Sequence, residues 1–322
     1  MKAYFQYVKI LVAIGLLTIL FIKIDVVESL SYFYHIHPLA ISAIFIVIFF
    51  LIFVSVLKWQ IFLKSLHLVN SFWSLYRYYI IGYFFSNFLP SNIGGDIVRL
   101  SLAAKGKDTY MASFVAVFME RFTGIIATLI FVSISIPLAF WYFDYFDRLY
   151  LIVFSSFAMF IFITGIFFIK FDYFDRYMPE EGFIKKIIAK IKEISSLIHS
   201  FKNKKRVLFT AMILSLIFNF LTIVNVYVVG FALDIQLSFI ELFILVPIII
   251  LISTIPLSIN AIGIAEGAYV LCLGAIGVSS PEALSIALLI RASTLIVSLL
   301  GGLFFLSYRK HQNFENVTIS RR

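Results

Sequence analysis

Five uncharged apolar runs, at residues 39–57, 122–142, 149–169, 207–233 and 242–265, constrain this chain more than any other feature. Each is long enough for a helix to cross bilayer hydrocarbon, which takes roughly 17–25 residues. Two further segments carry charge. Residues 4–24 contain Lys9 and end at Lys23 and Ile24, with both lysines near enough to the ends to snorkel, and residues 283–308 contain Arg291. A transmembrane barrel is excluded, because its strands alternate in segments of about 10 residues. With 62% hydrophobic and 13% charged residues and a mean hydropathy of +1.04, the 322-residue chain is too apolar for a water-soluble fold. The expected class is all-α, a polytopic helical membrane protein of about six to eight spans. The whole of residues 1–322 reads as a single integral membrane domain. Its first segment reads as an uncleaved span, because Asp25, Val26, Val27 and Glu28 stand where a small-residue cleavage site would follow.

Orientation follows from basic residues, which accumulate on the cytoplasmic side. With a cytoplasmic N-terminus, 22 of the 26 Lys and Arg residues fall inside, Lys58, Lys64, Arg77 and Arg99 among them. Lys23 and Arg148 fall outside, and Arg121 and Arg291 within spans. Both termini are therefore expected to be cytoplasmic. The net charge of +9 then points to anionic lipid as partner, and not to nucleic acid. Near residues 183–201, Ile184, Ile187, Ile188, Ile191, Ile194, Ile198 and Phe201 form a helical stripe beside a basic face, so an amphipathic loop helix on the inner leaflet is expected, with a solvated connector as the alternative.

The inventory of reactive side chains is sparse. Cys272 is the sole cysteine, the five histidines show no metal-ligand spacing, and no G-x-S-x-G, G-x-x-x-x-G-K or H-E-x-x-H occurs. No catalytic residue, metal or cofactor is expected from these patterns.

Against this background, residues 89–100, reading L-P-S-N-I-G-G-D-I-V-R-L, are exceptional. A polar, helix-breaking run at membrane depth must be buried in protein or line a cavity, since hydrocarbon offers its backbone no partners. Pro90 suits a break, Gly94 and Gly95 permit close approach, and Asp96 falls near a new helix start, so a re-entrant half-helix entering from the cytoplasmic side is expected. Residues 255–266 repeat the design with Pro256, Ser258, Asn260, Gly263 and Glu266, and their charge context favours approach from the outside. Paired broken helices entering from opposite faces are the sequence sign of inverted repeats around a midplane site.

The string from Gly82 to Asp96, the pair Glu120-Arg121, and Gly263 with Glu266 and Arg291 resemble the lysylphosphatidylglycerol synthase transmembrane family, over nearly the whole chain. The resemblance implies a flippase-like domain, similar to the membrane half of the multiple peptide resistance factor, which moves an aminoacylated lipid between leaflets. The soluble aminoacyl-transfer domain of bifunctional members is not matched here, so lysyl transfer is not implied.

The expected site comprises Asn92, Gly94, Gly95, Asp96, Arg99, Glu120, Arg121, Asn260, Gly263, Glu266 and Arg291. Arg99, Arg121 and Arg291 would grip a lipid phosphate, helped by backbone N–H groups at the helix starts. Asp96, Glu120 and Glu266 would balance them, bind a cationic headgroup or carry protons. Plainer roles compete: Arg99 snorkelling at the inner interface, Glu120 and Arg121 pairing with different helices, Glu266 pairing with Arg291. The expected activity is a lipid flippase in a bacterial or archaeal cytoplasmic membrane, moving an anionic or aminoacylated phospholipid or a polyprenyl-linked glycan. The alternatives are a membrane-embedded transferase on a lipid phosphate headgroup with Asp96 or Glu120 as base, and a noncatalytic partner docking a cytoplasmic glycosyltransferase. Homo-oligomerisation is compatible with each.

Overall fold

A computed structural model describes residues 2–88, 94–104, 106–142, 190, 193–255 and 257–319. The described residues form helices joined by short turns and loops, with no strand among them. The helices are α1 (Lys2–Lys23), α2 (Val26–Ser31), α3 (Pro38–Ser65), α4 (Phe72–Phe88), α5 (Gly94–Ala103), α6 (Lys107–Tyr142), α7 (Lys205–Ala232), α8 (Phe239–Ser253), α9 (Ile264–Gly274) and α10 (Ser280–Ile319).

Among the described residues, four helices are long and apolar enough to cross a membrane: Pro38–Ser65, Thr109–Ala139, Lys205–Ala232 and Ser280–Tyr308. A fifth results if the bent pair Val8–Lys23 and Val26–Tyr34, turned by 90°, is one span. The apolar run at 149–169 lies outside the described residues. The run at 242–265 does not form one helix: α8 stops at Ser253 and α9 starts at Ile264. The protein is thus a polytopic helical membrane protein.

The helices pack around the ends of the interrupted segments. α3 lies along α7, α6 packs against α7 and α8, and α4 sits between α5 and α10. Their shared core includes Trp59, Phe62 and Leu63 of α3, Val115 and Ala116 of α6, Ile223 and Val226 of α7, and Leu242 and Leu245 of α8. Apolar side chains such as Phe50, Phe209, Phe231 and Leu303 point outward, as expected where the surrounding solvent is lipid.

Small residues set the closest approaches. A Cβ on Gly95 would lie 2.0 Å from Ser86 Oγ and 2.1 Å from the Gly82 carbonyl oxygen, so only glycine lets α5 fold back along α4 at this distance. On the other face of α4, a Cβ on Gly301 would lie 2.2 Å from the Ile80 carbonyl oxygen. Such small-residue contacts let helix backbones approach without a hydrophobic driving force, which lipid does not supply.

The loop helix expected near 183–201 is described at 190 and 193–201. Ile198 and Phe201 are buried, and the Phe201 ring meets that of Phe62 edge-on at 5.5 Å. These two stripe residues pack on the protein body. Lys204 Nζ, just beyond, donates to the carbonyl of Ser65 at 2.5 Å, capping the end of α3.

Candidate functional site

The two interrupted segments meet. Asn260 Nδ2, in the break between α8 and α9, donates to Asn87 Oδ1, one residue from the end of α4, at 2.6 Å across 173 positions of sequence. The second break owes its shape to left-handed backbone at Asn260 (φ 47°), Ala261 (φ 55°) and Gly263 (φ 81°). Asparagine and glycine tolerate this region; Ala261 does so at a cost, which marks a turn held by its surroundings. α9 then starts with a capping interaction, Glu266 Oε2 accepting from Gly263 N at 2.7 Å.

Between the segments lies a polar cavity of about 670 Å³. Four basic side chains, Lys58, Arg99, Arg121 and Arg291, and three acidic ones, Asp96, Glu120 and Glu266, line it. Such a density of ionisable groups among apolar spans marks a functional site by default, because each is costly to keep from water.

On one wall, Arg99 is the hub. Its Nε and Nη2 each lie 2.9 Å from Asp96 Oδ1, and Nη1 lies 2.6 Å from Glu120 Oε2. The last contact is an ion pair whose angles fall outside hydrogen-bond geometry, leaving Arg99 Nη1 and Glu120 Oε2 without a formal hydrogen bond. The guanidinium also stacks near Trp59 (5.1 Å) and Tyr79 (4.6 Å), and Tyr79 OH donates to Glu120 Oε1 at 3.1 Å. Arg99 is 4% exposed, so it does not snorkel to an interface. Arg121 Nε lies 2.5 Å from Asp96 Oδ2, yet its side chain is 55% exposed. Adjacent in sequence, Glu120 and Arg121 thus both turn toward α5 rather than toward different helices.

On the opposite wall, Arg291 Nε binds Glu266 Oε1, and its Nη1 donates to the Asn260 carbonyl at 3.4 Å. Glu266 is fully engaged, capping its own helix with one oxygen and neutralising Arg291 with the other. Thr128 Oγ1 donates to Asn219 Oδ1 at 2.9 Å nearby, joining α6 to α7.

Of the residues expected from sequence, Gly95, Asp96, Arg99, Glu120, Arg121, Asn260, Glu266 and Arg291 line one cavity. Gly94 and Gly263 act from behind it: Gly94 is buried at the start of α5, and Gly263 precedes α9, where a Cβ would lie 2.6 Å from Leu16 Cβ of α1. Asn92 lies outside the described residues.

Sequence reasoning missed Lys58, which it assigned to a cytoplasmic loop. The residue sits within α3, which runs on to Ser65, and is 4% exposed. It also missed the cavity faces of Tyr79, Tyr83, Ser86 and Asn87. The last three lie inside the string Gly82 to Asp96 and were within reach; Lys58 follows an apolar run directly, where a charge ordinarily marks the span's end. Among the described residues, no group of three or more His, Cys, Asp or Glu side chains is placed to hold a metal ion.

The family described as the lysylphosphatidylglycerol synthase TM region matches residues 6–302. A UPF0104 membrane protein of Pyrococcus horikoshii is 25% identical over 278 residues, covering 79% of this chain and 82% of the relative. No solved structure matches the chain significantly.

Proposed function

The chain belongs to the lysylphosphatidylglycerol synthase TM region family, and from that premise we propose that it is a lipid flippase, carrying a polar lipid headgroup between leaflets through the cavity. The cargo is a phospholipid, anionic or aminoacylated, or a polyprenyl-linked lipid. The observation that carries this reading is the meeting of the two broken segments, Asn87 against Asn260, beside seven ionisable side chains.

The physical demand is specific. A headgroup entering hydrocarbon loses its hydrogen bonds to water, at roughly 2–7 kcal/mol for each uncompensated polar group. A cavity lined by Asp96, Glu120, Arg121 and Asn260 substitutes for that water, while acyl chains remain in lipid. The break at Asn260 frees backbone groups that a continuous helix would have consumed, and side chains of the cavity take them up: Arg291 donates to the Asn260 carbonyl and Glu266 accepts from Gly263 N. Exchange between two accessible states would then follow from gating, the segments parting and closing at their contact, as in transporters built from inverted repeats. Both termini are proposed to be cytoplasmic, from the distribution of basic residues.

The experiment is leaflet exchange in proteoliposomes containing the purified chain and headgroup-labelled lipids. Faster exchange than in protein-free vesicles is expected for at least one envelope lipid, with loss of the acceleration in Asp96→Asn. Exchange at the protein-free rate for every lipid offered would reject the reading.

A further inference from the structure

The cations of the cavity are not equivalent. Arg99 is held by two carboxylates, Arg121 by Asp96, and Arg291 by Glu266. Lys58 has no carboxylate within ion-pair distance among the described residues. Its ammonium donates to Ser215 Oγ of α7 at 3.2 Å and faces the Phe218 ring at 5.8 Å. An ammonium has three donors, so two remain without a described acceptor. The group points at α6 where that helix is bare: a Cβ built on Gly124 would find Lys58 Nζ as its neighbour, at 3.5 Å. Lys58 is close enough to Glu120, Arg99 and Arg121 to feel their charges, but the two guanidiniums oppose the one carboxylate. A buried amine with spare donors, in a cavity that carries one more basic than acidic side chain, is suited to take up an anion, which would hold it in the ammonium form.

From this we infer that Lys58 is the cavity's receptor for a phosphate oxyanion, with its ammonium aimed across the gap at Gly124. The inference rests on the reading of the cavity as a headgroup site and deepens it by assigning the anion-binding residue. A compact ammonium on a flexible stem suits a phosphate that must be both gripped and released, whereas Arg99, ion-paired to Asp96 and Glu120, is built to stay in place. Phosphate oxygens come either from a lipid headgroup or from free inorganic phosphate, and both offer the amine the same acceptors.

The test is lipid binding to the full chain in mild detergent, read by native mass spectrometry, with phosphatidic acid as probe and diacylglycerol as the phosphate-free control. Wild-type protein is expected to retain phosphatidic acid preferentially. Lys58→Met is expected to bind it about tenfold or more weakly, Lys58→Arg to keep most of the affinity, and Ser215→Ala to bind as wild type. Should Lys58→Met not fold, Gly124→Leu, which covers the ammonium without removing its charge, is expected to show the same loss. Undiminished binding in Lys58→Met overturns the inference. So does an equal loss in Ser215→Ala, which would make the amine a tie between α3 and α7 and nothing more. Displacement of phosphatidic acid by millimolar inorganic phosphate supports the site and points to free phosphate as its ligand; resistance to displacement supports the site and points to the lipid.

Leaflet exchange of labelled phosphatidic acid in phosphatidylcholine vesicles separates this inference from the transport reading. Lys58-dependent binding with no accelerated exchange of phosphatidic acid or of any other envelope lipid offered defeats transport and leaves the anion site. Exchange and binding that both survive in Lys58→Met defeat the anion site alone.

Discussion

Arg99→Met removes the guanidinium on which one wall of the cavity depends, while nearly preserving side-chain volume. In the native protein the group bridges Asp96 and Glu120 and lies against Trp59 and Tyr79. After substitution Asp96 still has Arg121, but Glu120, 4% exposed, keeps the Tyr79 hydroxyl at 3.1 Å as its one direct side-chain partner among the described residues. At an effective dielectric constant of about 20, the 2.6 Å contact between Arg99 and Glu120 is a gross attraction of about 6 kcal/mol. Much of that offsets desolvation, so the net loss expected from leaving a buried charge unpaired is about 3–5 kcal/mol. Lys58, within Coulombic reach of Glu120, compensates in part and places the value in the lower half of that range. The double variant Arg99→Met with Glu120→Gln removes the orphaned charge as well and should recover about 1–3 kcal/mol relative to additivity. The assay is unfolding by sodium dodecyl sulfate in mixed micelles, followed by circular dichroism. A loss below about 1 kcal/mol, the size of an exposed pair, or strict additivity in the double variant, would refute the hub role of Arg99.

Other predictions follow from single contacts. Gly95→Ala forces a Cβ to within 2.1 Å of the Gly82 carbonyl oxygen and should cost about 1–3 kcal/mol in the same unfolding assay. Gly267→Ala, in α9 with nothing within 4 Å of its Cβ, should be neutral or stabilising by roughly 0.5–1 kcal/mol. Equal effects of the two would contradict the packing account. Glu266→Gln retains a cap acceptor but discharges the partner of Arg291; because that arginine is 28% exposed, a smaller loss of about 1–2 kcal/mol is expected. A loss as large as that of Arg99→Met would show that the two walls are not as different as their burial indicates.

How much of this was legible in the sequence depends on the range of the interaction. The class followed from apolar length alone, and the breaks from proline, glycine and asparagine set where hydrocarbon tolerates none. Gly95 was foreseen as a point of close approach, and a pairing of Glu266 with Arg291 was weighed, because a lone charge on either helix would need a partner. The Asn87–Asn260 contact was not legible: nothing in a one-dimensional pattern says which two turns, 173 residues apart, will touch. Lys58 was misassigned because a span was ended at its first charge, although Trp59, Phe62 and Leu63 continue an apolar face that the fold buries. Ile198 and Phe201 illustrate a different limit. Helical periodicity reveals an apolar face, yet a lipid surface and the flank of α3 satisfy it equally well.

The central claim is that headgroups pass between the two broken segments. Asn87→Cys with Asn260→Cys, made in a Cys272→Ala background and bridged by a short bis-methanethiosulfonate, tests it most directly. The account predicts that bridging stops leaflet exchange in proteoliposomes and that reduction restores it. Unchanged exchange across the bridged segments would contradict it.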